Sequence, residues 1–171
     1  KREVIDKVVE QIKQRIKGKT AKDAEAFVRL FYKDVPPDDM AGRSVDSLYG
    51  AALTLYKFAQ KRPSVDAAKI RVYNPDLEEH GWKSDHTVIQ ISNTDMPFLV
   101  DSVTAALQRF GITIKLVVHP VLRVERDEDG KLTSFGAAAA DSEPDDDASS
   151  TPGLESIMHI EVSRLADKER Q

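Results

Sequence analysis

Thr87-Val88-Ile89-Gln90-Ile91-Ser92-Asn93-Thr94-Asp95-Met96-Pro97-Phe98-Leu99-Val100-Asp101-Ser102-Val103 is the stretch on which the fold turns. Its first six residues are rich in β-branched types and read as a strand. Asn93-Thr94-Asp95-Met96-Pro97 then breaks the run, because proline has no N–H to give a ladder and pushes its predecessor to extended backbone. The spacing of Leu99, Val103, Ala106, Leu107 and Phe110 predicts a helix over 98–110, ended by Gly111, with a second strand starting at Ile112. If the two strands lie parallel in one sheet, the unit is a β-α-β crossover.

Working downstream, Ile112, Ile114, Leu116, Val118, Leu122 and Val124 share one parity, and Thr113, Lys115, Arg123 and Glu125 the other. This is one long strand with one buried face, marked by a bulge or an edge at Pro120. Asp127-Glu128-Asp129-Gly130 is a hairpin turn and 132–135 its return. Residues 137–153 carry Asp141, Glu143 and Asp145-Asp146-Asp147 without apolar anchors and are expected to be a flexible loop. Their spacing lacks the alternating oxygen ligands and glycine of a calcium loop. Leu154, Ser156, Met158, Ile160 and Val162 alternate with Glu155, Ile157, His159, Glu161 and Ser163 in a last strand, followed by a charged tail over 164–171.

Upstream the period changes. Val4, Val8, Ile12 and Ile16 mark one amphipathic helix, stopped near Gly18. Thr20, with Asp23 three residues on, is expected to cap a second helix whose face is Ala24, Phe27, Val28, Leu30 and Phe31. Residues 34–39, with Pro36-Pro37, break it. A third helix over 44–60 carries Val45, Leu48, Ala52, Leu55, Tyr56 and Ala59. Phe27, Phe31, Tyr56 and Phe58 are read as core. Lys69-Ile70-Arg71-Val72-Tyr73, closed by Asn74-Pro75, reads as an edge strand. Residues 76–85 form a polar connection whose Trp82 is expected to pack on its own domain, with a partner contact as the second reading. The glycines fall at breaks, except Gly50.

The 171 residues are 40% hydrophobic and 32% charged, with net charge -4 and no cysteine. A net acidic chain is not built to neutralise phosphates, so a nucleic-acid partner is not expected. Disulfides, thiolate catalysis and cysteine-bound metal are excluded. No apolar run approaches the length of a membrane span. The missing initial Met suggests a piece of something longer, with processing of the terminus as the other explanation.

The candidate site is the loop and the helix start. The helix N-terminus presents unpaired N–H groups and the positive end of a dipole, suited to the carboxylate of an amino acid, while Asn93 and Asp95 could meet its ammonium. The same residues also serve a plainer purpose, Asp95 capping the helix and Asp101 stabilising its first turn. Asp95, Asp101 and His119 lack metal-ligand spacing, and Ser102 with His119 lacks a Gly-x-Ser-x-Gly turn. There is no dinucleotide fingerprint or P-loop, so no catalytic residue is assigned to this chain.

The run 93–103, with His119-Pro120-Val121, Arg126-Asp127 and Gly130, resembles the N-terminal region of the large bacterial NAD-dependent glutamate dehydrogenases. So do 27–32, the helix 51–62 and Val72-Tyr73-Asn74-Pro75. The resemblance implies an α+β architecture: three N-terminal helices over 1–63, then an incomplete ACT-like (ferredoxin-like β-α-β-β) antiparallel sheet over 69–171. The second helix and last strand of such a module are missing, which leaves an open edge.

The resemblance also implies a cytoplasmic, regulatory and oligomerisation segment of a longer enzyme that converts L-glutamate to 2-oxoglutarate with NAD. This segment would hold no cofactor or metal itself. Its expected partners are the enzyme's other domains and subunits in a homo-oligomer, and an amino-acid effector touched by Asn93, Thr94, Asp95, Met96, Asp101 and Ser102. Phe98 follows Pro97 where amino-acid-binding ACT modules carry glycine, so its ring is expected to fill the ligand space. The competing reading is a structural assembly module without ligand.

Overall fold

Four-residue apolar spacing builds the N-terminal layer, and the computed structural model describes residues 1–138 and 153–165. Helix α1, Arg2–Arg15, buries Ile5, Val8, Val9 and Ile12. Helix α2, Lys19–Tyr32, buries Ala24, Phe27, Val28, Phe31 and Tyr32. The expected Thr20 cap is not used: Gly18, at φ 77°, is the N-cap, so Thr20 lies inside the helix. Pro37 starts a single turn, α3, Pro37–Met40, where the sequence reads only as a break. Helix α4, Val45–Ala59, begins as expected, with the Ser44 hydroxyl accepting from the Ser47 N–H at 3.1 Å. A further short turn, α5, Leu77–His80, interrupts the polar connection and is capped by Asp76.

The sheet comprises β1 (Lys69–Tyr73), β2 (His86–Thr94), β3 (Ile114–Val118), β4 (Val121–Arg126), β5 (Leu132–Ala137) and β6 (Leu154–Ser163). The order is β1-β2-β6-β4-β5, with β3 also on β6. Every pairing is antiparallel. Strands β3 and β4 follow one another along the same flank of β6 in one register, Val118 opposite His159 and Val121 opposite Ser156. The expected long strand is therefore real, interrupted at His119-Pro120, where proline brings no N–H; its carbonyl still accepts from Ile157 at 3.1 Å. Since β2 and β3 both run antiparallel to β6, they are parallel to one another with β6 inserted between them. Helix α6, Leu99–Arg109, makes the crossover.

The flank of β2 that the sequence leaves open is occupied. Strand β1 lies there, with Lys69 opposite Ser92 and Tyr73 opposite Val88. A strand that precedes the β-α-β unit thus takes the position expected of a missing last strand.

Each face of the sheet has its own cover. Helices α1, α2 and α4 bury Leu116, Val118, Leu122 and Ile157. Helix α6 covers Ile89, Ile91, Met158, Ile160 and Val162 through Leu99, Val103 and Leu107. The single buried parity expected for β3 does not hold. A register shift between Ile114 and Leu116 turns Ile114 and Val117 to α6 and Leu116 and Val118 to the helical layer. Strand β6 is buried from Leu154 to Val162, including Glu155, His159 and Glu161, because helices cover the face that the alternation would leave wet. Residues 139–152 of the acidic loop and 166–171 of the tail lie outside the described residues.

Trp82 is 2% exposed and packs with Ala51, Tyr73 and Val88. It explains the one glycine away from a break. A Cβ on Gly50 would stand 2.2 Å from the Trp82 Cβ and 2.5 Å from its Cγ. Gly50→Ala would ordinarily gain about 1 kcal/mol of helix propensity. Here it is expected to lose about 1–3 kcal/mol through overpacking against the root of the indole. Urea unfolding followed by Trp82 fluorescence measures this, and a midpoint at or above that of the parent chain contradicts the packing described.

Candidate functional site

At the end of β2 the backbone turns sharply. The Asp95 N–H donates to the Leu154 carbonyl at 2.9 Å, which pins the loop to the start of β6. Phe98 is the N-cap of α6 and adopts φ 61°, the left-handed region, alone among the non-glycine described residues. A phenylalanine there is strained, whereas glycine would not be. Its ring, expected to fill the ligand space, is 77% exposed and points to solvent.

No side chain caps α6. Asp95 therefore does not serve the capping role open to it in the sequence. Burial pushes its carboxyl pKa up, opposed by a hydrogen bond from the Met96 backbone. Asp101 and Ser102 are exposed in the first turn of α6, and the Ser102 N–H donates to the Phe98 carbonyl at 2.9 Å. Met96 is exposed beside them and Asn93 is half-buried opposite Ser156.

Thr94 parts company with this group. It sits opposite Glu155, accepts from Arg62 Nη2 at 3.1 Å and donates to the Val65 carbonyl. The six candidates thus divide: Asp95, Met96, Asp101 and Ser102 gather at the helix start, Asn93 stays in β2 opposite Ser156, and Thr94 faces a cleft under α4. His119 lines a narrow groove with Leu30 and Asp34 on the helical-layer side, away from Ser102 on α6. Among the described residues no group of three or more His, Asp or Glu is placed to hold a metal ion.

Two buried charge centres escape a reading by alternation alone. In the first, Glu155 accepts from Arg62 Nη1 at 2.8 Å and from Arg126 Nε at 2.9 Å. Arg126 also donates to the Ala59 and Gly130 carbonyls, and Arg62 to those of Val65 and Ala67. Lys69 donates to Phe58 and Lys61, so three cations gather at the carbonyl end of α4. Burial lowers the Lys69 pKa, and the nearby charges of Arg126, Arg71 and Lys61 lower it further.

In the second centre, Arg43 Nη1 donates to both Glu161 oxygens at 2.9 Å. His86 Nδ1 lies 3.0 Å and His159 Nε2 2.8 Å from the same carboxylate. The His159 ring lies between Phe31 and Trp82, its centroid 5.6 and 6.2 Å from theirs. The one sequence signal for these centres was Ile157, an apolar residue at the middle of the polar parity of β6.

Residues 27–171 match the family model described as "Glutamate dehydrogenase, ACT1 domain". The NAD-specific glutamate dehydrogenase of Halomonas elongata is 40% identical over 161 residues, covering 92% of this chain and 10% of that protein. Its namesake from Pseudomonas aeruginosa is 32% identical over 153 residues, covering 90% of this chain and 9% of that protein. The chain spans about a tenth of the length of the curated relatives it matches. No solved structure matches it.

The Glu161 centre gives the fold an acid dependence. Burial would raise this carboxyl, but the hydrogen bonds and charge of His159, with His86 and Arg43, bring it from 4.5 down to about 2. A depressed carboxyl stabilises the fold above its unfolded pKa, and that stability is lost as pH falls through the folded value. The loss therefore runs from pH 4.5 to about 2 and amounts to roughly 3 kcal/mol. Glu161→Gln should be less stable at neutral pH and flatter across that window. Equal acid slopes for the two chains in pH-dependent urea unfolding would rule the assignment out.

Proposed function

The chain belongs to the glutamate dehydrogenase ACT1 domain family, and on that footing we propose that it is a regulatory segment of a longer NAD-specific glutamate dehydrogenase. In this reading the parent enzyme oxidises L-glutamate to 2-oxoglutarate and ammonium, with NAD held by domains outside this segment. The segment answers to an amino-acid effector and transmits its binding to other domains and subunits of a homo-oligomer in the cytoplasm. Asn93, Thr94, Asp95, Met96, Asp101 and Ser102 are the proposed effector contacts, Thr94 through its backbone alone since its side chain is turned to Arg62.

The observation that carries the effector reading is the backbone at Phe98. It holds the positive φ of 61° that glycine favours, and its ring turns to solvent. Space above the start of α6 is thereby left to a ligand, whose carboxylate would meet the uncapped N–H groups. Asp95 beside it supplies a carboxylate for an ammonium group.

One observation favours the assembly reading instead. Phe98 and Phe110, at the two ends of α6, are 77% and 82% exposed, and large exposed rings are common at interfaces. The two readings separate by experiment. Calorimetric titration with the twenty amino acids should give saturable heat with at least one, lost in Asp95→Ala. Heat from none, at concentrations that would reveal millimolar affinity, removes the effector. Sedimentation showing association that Phe98→Ser with Phe110→Ser abolishes would then favour assembly.

A further inference from the structure

A cleft of about 440 Å³ opens beneath the C-terminal end of α4, on the face of the sheet opposite α6. Its walls include Arg62, Val65, Thr94, Val124, Arg126 and Glu155. We infer that this cleft binds a small organic carboxylate, as a site separate from the start of α6. The inference does not rest on the effector loop, with which it shares only Thr94.

The argument begins with the arginines. Their side chains are 2% and 6% exposed, so they belong to the interior rather than to the solvated surface. Each guanidinium has five N–H groups. Arg126 uses Nε on Glu155, one N–H of Nη1 on Gly130 and one of Nη2 on Ala59. One N–H on each terminal nitrogen has no acceptor among the described residues. Arg62 uses Nη1 on Glu155 alone, which leaves a third.

Unspent donors on nearly buried cations favour an acceptor, and a charged one most. The local charge agrees. Two arginines share one buried carboxylate, and Lys69 stands close enough for Arg126 to depress its pKa. An added anion would relieve this excess. The planar fork of a guanidinium fits a carboxylate. Val65 and Val124 add apolar wall, so the ligand has a short aliphatic body, and a cleft of this size takes a small molecule rather than a peptide.

The test uses nuclear magnetic resonance of the 171-residue chain, with butyrate, glutarate and the uncharged butyramide as probes. Butyrate or glutarate should give saturable shifts at the Thr94, Val124 and Glu155 amides and at the arginine Nε–H groups. A dissociation constant of about 1 mM or tighter is expected, with butyramide at least about tenfold weaker. Val65 is 65% exposed, so Val65→Trp fills the cleft without touching the core and should abolish the shifts. Asp66, exposed at the rim, repels an anion, and Asp66→Ala should tighten butyrate binding. Asp95→Ala, at the effector loop, should leave it unchanged, so failure of the loop reading and of this one are told apart. Absence of saturable shifts with both carboxylates, equal binding of butyramide, or full binding by Val65→Trp overturns the proposal.

Discussion

One carboxylate on the central strand holds the layers in place. Glu155 lies at the start of β6 with Arg62 on one oxygen and Arg126 spanning both. Arg62 follows α4, and Arg126 ends β4 and reaches back to the Ala59 carbonyl in the last turn of that helix. The same turn is closed by backbone bonds, Leu132 to Gln60 at 2.8 Å and Arg62 to Gly130 at 3.0 Å. Gly130 sits where a Cβ would lie 1.9 Å from the Arg62 carbonyl oxygen, so the hairpin approaches α4 as only glycine permits. Desolvating three charges is costly, and the cluster is tolerable because most of its donors are spent on Glu155, Thr94 and nearby carbonyls. Its contribution is to fix where helix, hairpin and central strand meet.

That junction also bears on function. Thr94, the last residue of β2, hydrogen-bonds to Arg62, and Asp95 hangs from the Leu154 carbonyl next to Glu155. The 95–98 loop is therefore joined through Thr94 and Asp95 to the charge cluster, and through Arg62 and Arg126 to the end of α4. At the other end of β6, Arg43 ties the segment before α4 to Glu161. The central strand thus anchors the helical layer at both ends through its two buried glutamates.

Much of this was legible in the residues. The apolar period marked α1, α2 and α4 closely, although the cap expected at Thr20 belongs to Gly18. The strand–loop–helix–strand unit at 87–118 was legible too, since β-branched runs, proline and glycine punctuate it. The acid face of β6 was not. Alternation cannot tell a wet polar face from one buried under helices, and the arginines that neutralise Glu155 lie 93 and 29 residues away in sequence. The register shift in β3 and the place of β1 were hidden for the same reason: both are settled by contacts between distant segments. At the candidate site, sequence grouped Thr94 with Asp95, but strand alternation turns the threonine into the cleft and leaves the aspartate at the helix start. The positive φ of Phe98 carried no local signal at all, because phenylalanine rarely adopts it.

The central claim is that Glu155 holds the α4–hairpin junction closed. Native-state hydrogen exchange of the Arg62 and Leu132 amides in Glu155→Gln tests it most directly. Removing the charge leaves two buried guanidinium groups uncompensated, at roughly 3–5 kcal/mol. The account requires these two amides to exchange at least about a hundredfold faster than in the parent chain. Unchanged protection at Arg62 and Leu132 would contradict it.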